Sequence, residues 1–288
     1  MLLALDIGNT NVTLGLVNGE TVMASRRAAT RPNSTPDELE ILIDGLLHID
    51  GAGMADVSGI SLASVVPKLA AATSIIADRR GLPIYVAGSG NMPMPIRVTR
   101  PAEVGPDRLV NAVAVARLYG TPAIVVDFGT ATKFDCVDRD GAFIGGAIAP
   151  GLELGIDALA TRTARLPRID MDEPERAIGT DTVSAMQAGV VLGYKAMVLG
   201  LLDQIQAEMV RSERVDREDI QIVATGGLSA VAFVRSLPGI VATDPDLTLK
   251  GLAILWALAS GAPNVPGDQV GWTGSAAGSI HIISERDE

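Results

Sequence analysis

The sequence predicts an α/β protein of two domains, each a mixed sheet flanked by helices, that arose by internal duplication. Three observations carry this reading. Strand-like and helix-like apolar patterns follow one another along the chain. The segments Leu2 to Leu16 and Ile124 to Val137 are written to one plan. Aromatic residues make up only 3% of the 288 residues and hydrophobic residues 48%, so the core is built from Ala, Val, Leu and Ile, which suits close packing of helices on sheets.

Setting Asp6 on Asp127 brings the two segments into step: an apolar run, an aspartate, one apolar residue, a glycine, then Asn9-Thr10-Asn11 against Thr130-Ala131-Thr132. Each reads as a strand that delivers a carboxylate to a tight turn, where Gly8 or Gly129 admits a conformation that a side chain obstructs, before a second strand leaves antiparallel. Such a turn offers backbone N–H groups and short polar side chains to an anion, with an acid alongside that can hold a hydrated cation. These are the parts needed to grip a nucleotide's phosphates through magnesium. The duplicated pattern resembles the actin, hexokinase and Hsp70 superfamily of two-domain nucleotide-binding proteins, and so implies actin-like, ribonuclease H-like domains. The resemblance also implies a late glycine-rich turn packed on adenosine. Val223-Ala224-Thr225-Gly226-Gly227-Leu228, an apolar strand ending in Thr-Gly-Gly before a helix, fits that turn. The expected division is 1–118 with the first phosphate loop, 119–260 with the second loop and the adenosine turn, and a tail, 261–288, with no assigned role.

Taken in order, the first hairpin is followed by a third strand over Thr21 to Ala29. Ser34-Thr35-Pro36-Asp37-Glu38 then signals a helix start, with proline and acids suited to a first turn, and the helix runs to about His48. Val57 to Ala63 is a strand leading into Ser64-Val65-Val66-Pro67, Lys68 to Arg80 a helix, and Ile84 to Val86 a short strand. Residues 88–101 carry too many glycines and prolines for a helix and form an extended connection. Leu109 to Tyr119 is helical, which puts Asp107 and Arg108 at the helix's beginning. The second copy starts at Ala123, turns at Asp140-Gly141 and returns over Ala142 to Ala149. Pro150-Gly151 opens a helix to about Ala160, and Arg162 to Arg176 is a polar loop. A long helix from about Asp181 to Met209, a strand over Ile220 to Ala224 and a helix from Leu247 to about Ser260 complete the core. Ser279 to Ile283 could add an edge strand.

A formal charge of −11 and the lack of a basic patch argue against sequence-independent binding to nucleic acid or to an anionic membrane. The opening Met-Leu-Leu-Ala-Leu-Asp has neither a cationic start nor a long apolar region, which points away from a signal peptide and toward a cytoplasmic protein. No uninterrupted apolar run reaches the roughly 20 residues that span a bilayer. The single cysteine, Cys136, sits in a strand pattern and reads as a buried structural thiol. His48 and His281 lie far apart in contexts that support neither a histidine metal site nor a Ser-His-Asp triad.

Gly105-Pro106-Asp107-Arg108 narrows the chemistry. Alone it could be a helix cap with a solvated basic neighbour. Between two phosphate turns it supplies what a kinase of a small acidic alcohol needs: a carboxylate to take the proton of the attacking hydroxyl, and a guanidinium to hold a substrate carboxylate by paired hydrogen bonds. Here the sequence closely resembles the type III pantothenate kinases, over nearly the whole chain to about Trp256. The resemblance is carried, in order, by Asp6 to Thr13, Ser64 to Pro67, Gly105 to Ala112, Asp127 to Thr132, Gly145 to Gly151, Ile178 to Thr182 and Asp244 to Leu252.

What the resemblance implies can be stated residue by residue. Asp6, Ile7, Gly8, Asn9, Thr10, Asn11, Val12 and Thr13 bind the phosphates of ATP, with Asp6 near magnesium through water, and Thr130 completes the nucleotide site. Gly105, Pro106, Asp107 and Arg108 line the pantothenate pocket, Asp107 is the catalytic proton acceptor, and Thr182 touches substrate. Asp127 binds a monovalent cation, K+ or NH4+. The resemblance implies a homodimer, and the helix from Asp181 is the candidate contact, since Val190, Val191, Met197, Val198 and Leu201 give it more apolar surface than one buried face uses. The reaction is transfer of the ATP γ-phosphoryl group to pantothenate, the first committed step of coenzyme A synthesis.

Three places depart from the family pattern. Lys133 stands where a threonine is usual. Strand alternation puts it on the face opposite Thr132, and the internal repeat matches it to Val12, a buried position. Either it pairs with a carboxylate such as Asp135 or Asp107, or it occupies the cation site and makes added potassium unnecessary. Thr180-Asp181 replaces a basic residue and an asparagine, and Thr99-Arg100 replaces another polar pair. The departures cluster around the expected pantothenate pocket, so two other readings stand beside pantothenate kinase: an ATP-binding accessory or regulatory protein without catalysis, and a kinase of another small hydroxy acid.

Overall fold

The computed structural model describes residues 1–19, 21–229, 234 and 237–261. The tail and its expected edge strand, and the helix expected after Thr225-Gly226-Gly227, lie outside the described residues. The chain divides into two compact units, one comprising Met1–Gly120, Gly141–Phe143 and the chain from Asp246, the other Thr121–Asp140 and Ile144–Pro245.

In the first unit the strands β1 (Leu2–Ile7), β2 (Asn11–Asn18), β3 (Thr21–Ala29), β4 (Gly59–Ser64) and β5 (Ile84–Val86) form a mixed sheet in the order β3-β2-β1-β4-β5. β1 is central, antiparallel to β2 and parallel to β4, which is why it is apolar on both faces apart from Asp6. On one face Leu3, Leu5 and Ile7 pack against α1 (Pro36–Ile49) and α2 (Pro67–Arg80) through Leu39, Ile43, Leu69 and Ile76. α1 begins with a reciprocal cap, Glu38 N–H donating to Thr35 Oγ1 and Thr35 N–H to Glu38 Oε2. The other face takes α3 (Pro106–Leu118) and α7 (Leu247–Ala259). Ala4 pairs with Ser61, whose hydroxyl donates to Leu252 O at 2.8 Å, and the Thr248 hydroxyl donates to Asn111 Oδ1 at 2.7 Å. Residues two apart on a strand share a face, so Asp6 belongs with Ala4 to the face covered by α3 and α7.

In the second unit β6 (Ala123–Phe128), β7 (Ala131–Val137), β8 (Phe143–Pro150), β9 (Gln221–Thr225) and β10 (Ala242–Thr243) give the order β10-β9-β6-β7-β8. Ile124, Val126, Phe128, Phe134 and Cys136 point into a core shared with α4 (Leu152–Arg162), α5 (Thr182–Gln187) and α6 (Gly193–Glu213). Here α5 and α6 form one helix, Thr182–Glu213, interrupted by a π turn at Ala188–Leu192. That helix contains a window long and apolar enough to cross a membrane, of mean hydropathy 1.5. Its residues Val191, Tyr194, Val198, Leu202 and Met209 are buried in the core of this unit, so one face of the helix belongs to that core. Val191 and Val198, counted from the sequence as candidate interface, are both fully buried. Val190, Met197 and Leu201 are half-buried against the same core.

Two features were not anticipated from the sequence. β10 has two residues, too few for a periodicity. The helix α7, placed by the sequence division with the second half, packs on the sheet and α3 of the first unit, because its Leu249 and Trp256 side chains fill the space left by Gly15 on β2 and Gly59 on β4.

Candidate functional site

β1 hands Asp6 to a turn of three residues, Gly8, Asn9 and Thr10, before β2 begins. The turn is held from both sides: Gly8 N–H donates to Asn11 O at 2.9 Å, the Thr30 hydroxyl to Gly8 O at 2.7 Å, and Thr30 N–H to Thr10 O at 2.8 Å. Asn9 and Thr10 are exposed, whereas the Ile7 and Val12 side chains are buried beneath them. Of the residues expected to hold phosphate, those two can therefore contribute only backbone groups. Asp6 is partly buried and stands across the ladder from Thr13.

α3 opens at Gly105, and Asp107 and Arg108 fall in its first turn. The Asp107 carboxylate folds back over Gly105, so closely that a Cβ there would meet Asp107 Oδ1 at 2.5 Å, and Val65 of the Ser64-Val65-Val66-Pro67 segment flanks the same point at 3.8 Å. The Arg108 guanidinium lies over the Phe143 ring, 5.5 Å from its centroid. Phe143 is itself clamped, its N–H donating to Pro95 O at 2.9 Å and its carbonyl accepting from Arg97 N–H at 2.8 Å. The glycine- and proline-rich connection thus fixes the ring on which the arginine rests. The sequence reading missed Phe143; its only signal was the scarcity of aromatic residues, four Phe in the chain.

The second turn is one residue shorter: β6 ends at Phe128 and β7 starts at Ala131, leaving Gly129 and Thr130. Thr130 is exposed, and its carbonyl accepts from Gly151 N–H at 3.1 Å at the head of α4. The shorter turn shifts the repeat. Ile7 pairs with Val12 and Asp6 with Thr13, but Phe128 pairs with Thr132 and Asp127 with Lys133. Lys133 therefore corresponds to Thr13 and not to Val12, and it shares the face of Asp127. Its ammonium lies 2.8 Å from Asp127 Oδ2. On the other side of Asp127 the ladder partner is Thr225, buried, with its hydroxyl making no hydrogen bond. Gly226 follows with φ +90°, and a Cβ there would stand 2.4 Å from Asp127 Oδ1. Only glycine lets the Thr-Gly-Gly turn close on this carboxylate.

Thr132, the buried counterpart of Val12, meets the phenol of Tyr194 on α6, with Oγ1 and the Tyr194 oxygen 2.5 Å apart. Burial pushes the Tyr194 phenol up, against the lowering effect of that hydrogen bond, and the charge of Asp127 adds to the rise. No periodicity in the sequence reveals this link. Thr182 is exposed at the first position of α5. Asp181 before it caps the helix, accepting from Ser184 N–H at 3.0 Å and from the Ser184 hydroxyl at 2.8 Å, bonds that hold its carboxyl below the ordinary range. The departure from the family pattern at Asp181 is thus explained locally, as a helix cap.

Three comparisons bear on what these residues serve. Residues 2–204 match the family model described as type III pantothenate kinase. The chain is 44% identical over 258 residues to the type III pantothenate kinase of Moorella thermoacetica, covering 89% of this chain and 98% of that one. It is 44% identical over 254 residues to that of Thermomicrobium roseum, covering 88% and 95%. Among solved structures, a Campylobacter jejuni protein described as a Baf family transcriptional activator superposes with a TM-score of 0.53 at 16% identity, covering 88% of this chain and 96% of that one, a likeness of fold alone. With two five-stranded mixed sheets, a duplicated aspartate turn and these relatives, the chain belongs to the type III pantothenate kinase family, of actin-like ATPase fold.

Proposed function

We propose that Asp107 is the proton acceptor in the reaction this family performs, the ATP-dependent phosphorylation of pantothenate that begins coenzyme A synthesis. The observation that carries the assignment is the first turn of α3, where a carboxylate and an aromatic-seated guanidinium stand side by side on the same sheet face as Asp6. Arg108, whose guanidinium lies over the Phe143 ring, is assigned to hold the pantothenate carboxylate. Gly105, over which the Asp107 carboxylate folds, lines the pantothenate pocket with Pro106 in this reading, and the exposed Thr182 touches substrate. The primary hydroxyl oxygen of pantothenate attacks the γ-phosphorus, the bond from that phosphorus to the β–γ bridging oxygen breaks, ADP leaves, and the hydroxyl proton passes to Asp107. In a loose transition state most of the acceleration comes from placement and charge neutralisation, with proton removal late.

The turn N–H groups and short side chains from Asp6 to Thr13, with Thr130, receive the phosphates of ATP, and the turn at Thr225-Gly226-Gly227 receives the adenosine. Among the described residues no group of three or more His, Cys, Asp or Glu could hold a metal by itself. This suits a magnesium ion that arrives with the nucleotide and takes one carboxylate, Asp6, through water. A monovalent cation beside Asp127 fits less well, because the Lys133 ammonium is already there.

The protein works as a homodimer in this reading. The support is the long helix, of whose apolar window only 33% is buried within the chain, and the exposed Val183 and Ile178 at its head. The acidic charge of −11 speaks against nucleic acid as a partner.

The deciding experiment is ADP release from ATP and magnesium with and without pantothenate. Pantothenate-dependent release is expected. ATP binding with no release for pantothenate, but release for another small hydroxy acid, would move the substrate, and binding with no release for any would indicate an accessory protein.

A further inference from the structure

The duplication supplies an internal comparison. Two hairpins present a carboxylate at the end of a central strand, and the residue directly across the ladder differs: Thr13 faces Asp6, Lys133 faces Asp127. The second carboxylate is enclosed. Its Oδ2 is 2.8 Å from the Lys133 ammonium, its Oδ1 lies against the backbone of Gly226, and the two side chains are only 19% and 14% exposed. An anionic group held beside a turn that receives a polyphosphate opposes that ligand unless its own charge is cancelled. A diffusible cation can cancel it only in proportion to its concentration. A lysine ammonium is a compact point charge of the same valence, and here it is tethered to the neighbouring strand.

We propose that Lys133 is a built-in counter-ion to Asp127 that replaces the monovalent cation expected there, so that nucleotide binding and turnover need no added potassium or ammonium. The proposal deepens the kinase reading and rests on it for the turnover measurement. Its nucleotide-binding measurement does not need turnover.

The test compares wild type, Lys133→Thr, which copies the first hairpin, and Lys133→Arg, which keeps the charge. ATP affinity is measured by calorimetry with magnesium and without pantothenate, and ADP release is measured with pantothenate. Each is done in buffers whose sole monovalent cation is potassium, ammonium or tetramethylammonium. Wild-type affinity and rate should agree within about twofold across the three, as ordinary screening allows. Lys133→Thr should be weak in tetramethylammonium and recover with saturable dependence on potassium or ammonium, by about tenfold or more. Lys133→Arg should stay independent of potassium. Saturable activation of the wild type by potassium would overturn the proposal and direct attention to the Oδ1 side of Asp127, where the Thr225 hydroxyl is unpaired. Indifference of a folded Lys133→Thr protein to the cation would overturn it equally. If that variant does not fold, the wild-type and arginine measurements still decide. If pantothenate supports no turnover in any buffer, the kinase reading fails while the calorimetric result still judges the lysine.

Discussion

The phenol of Tyr194 on α6 and the hydroxyl of Thr132 on β7 meet at 2.5 Å beside the apolar core of the second unit, and this contact ties the long helix to the strand that leaves the second aspartate turn. Removing either group breaks this contact inside the protein. Tyr194→Phe and Thr132→Val should each cost about 1–3 kcal/mol of stability, while the double variant should lie closer to wild type than the sum of the two. Denaturant melts of the four proteins give the coupling directly.

Asp107 and Gly105 test the proposed chemistry from two directions. Asp107→Asn should lower turnover by about two to four orders of magnitude with pantothenate and ATP still bound; lost binding with preserved turnover at saturation would remove its role as base. Gly105→Ala puts a methyl group where Asp107 Oδ1 now lies. The side chain can swing aside, so the fold and melting temperature should survive while turnover falls by about tenfold or more through misplacement of the carboxylate. A fall in melting temperature alone, without a kinetic effect, would mean the carboxylate's position is unimportant.

Alkaline stability follows from two tyrosines. Burial pushes the Tyr85 phenol up to about 12, and burial also raises Tyr194. Each contributes stability that is complete below the unfolded value of about 10 and is lost as the pH rises through the folded value. Melting temperature should therefore fall above about pH 10, and tyrosinate absorbance should show a late phase that Tyr85→Phe and Tyr194→Phe each reduce.

Much of the architecture was legible because it rests on local pattern. β3 begins and ends where its alternation does, and α1 begins at the capping sequence Thr35 to Glu38. The duplicated aspartate turn was legible because the same physical requirement was written twice. Its register was not, since a turn of two residues and a turn of three leave nearly the same composition while moving every later residue to the opposite face. That single residue is why the repeat matched Lys133 to Val12 and not to Thr13. Contacts between distant segments, Arg108 with Phe143, Thr132 with Tyr194, α7 with the first sheet, carry no periodic signal at all, because each depends on what a remote part of the chain brings to the surface.

The position of α7 also bears on how the molecule is made. A chain emerging from the ribosome presents β1 to β5 first, yet one of the two helices that cover one face of that sheet is the last described element to be translated. Until then the face around Ala4, Gly15 and Gly59 lacks the leucine and tryptophan that fill it. The unit inserted in the middle has all its strands in hand earlier. Vectorial synthesis therefore favours completion of the inner unit before the outer one, an order opposite to the order in which the two sheets begin.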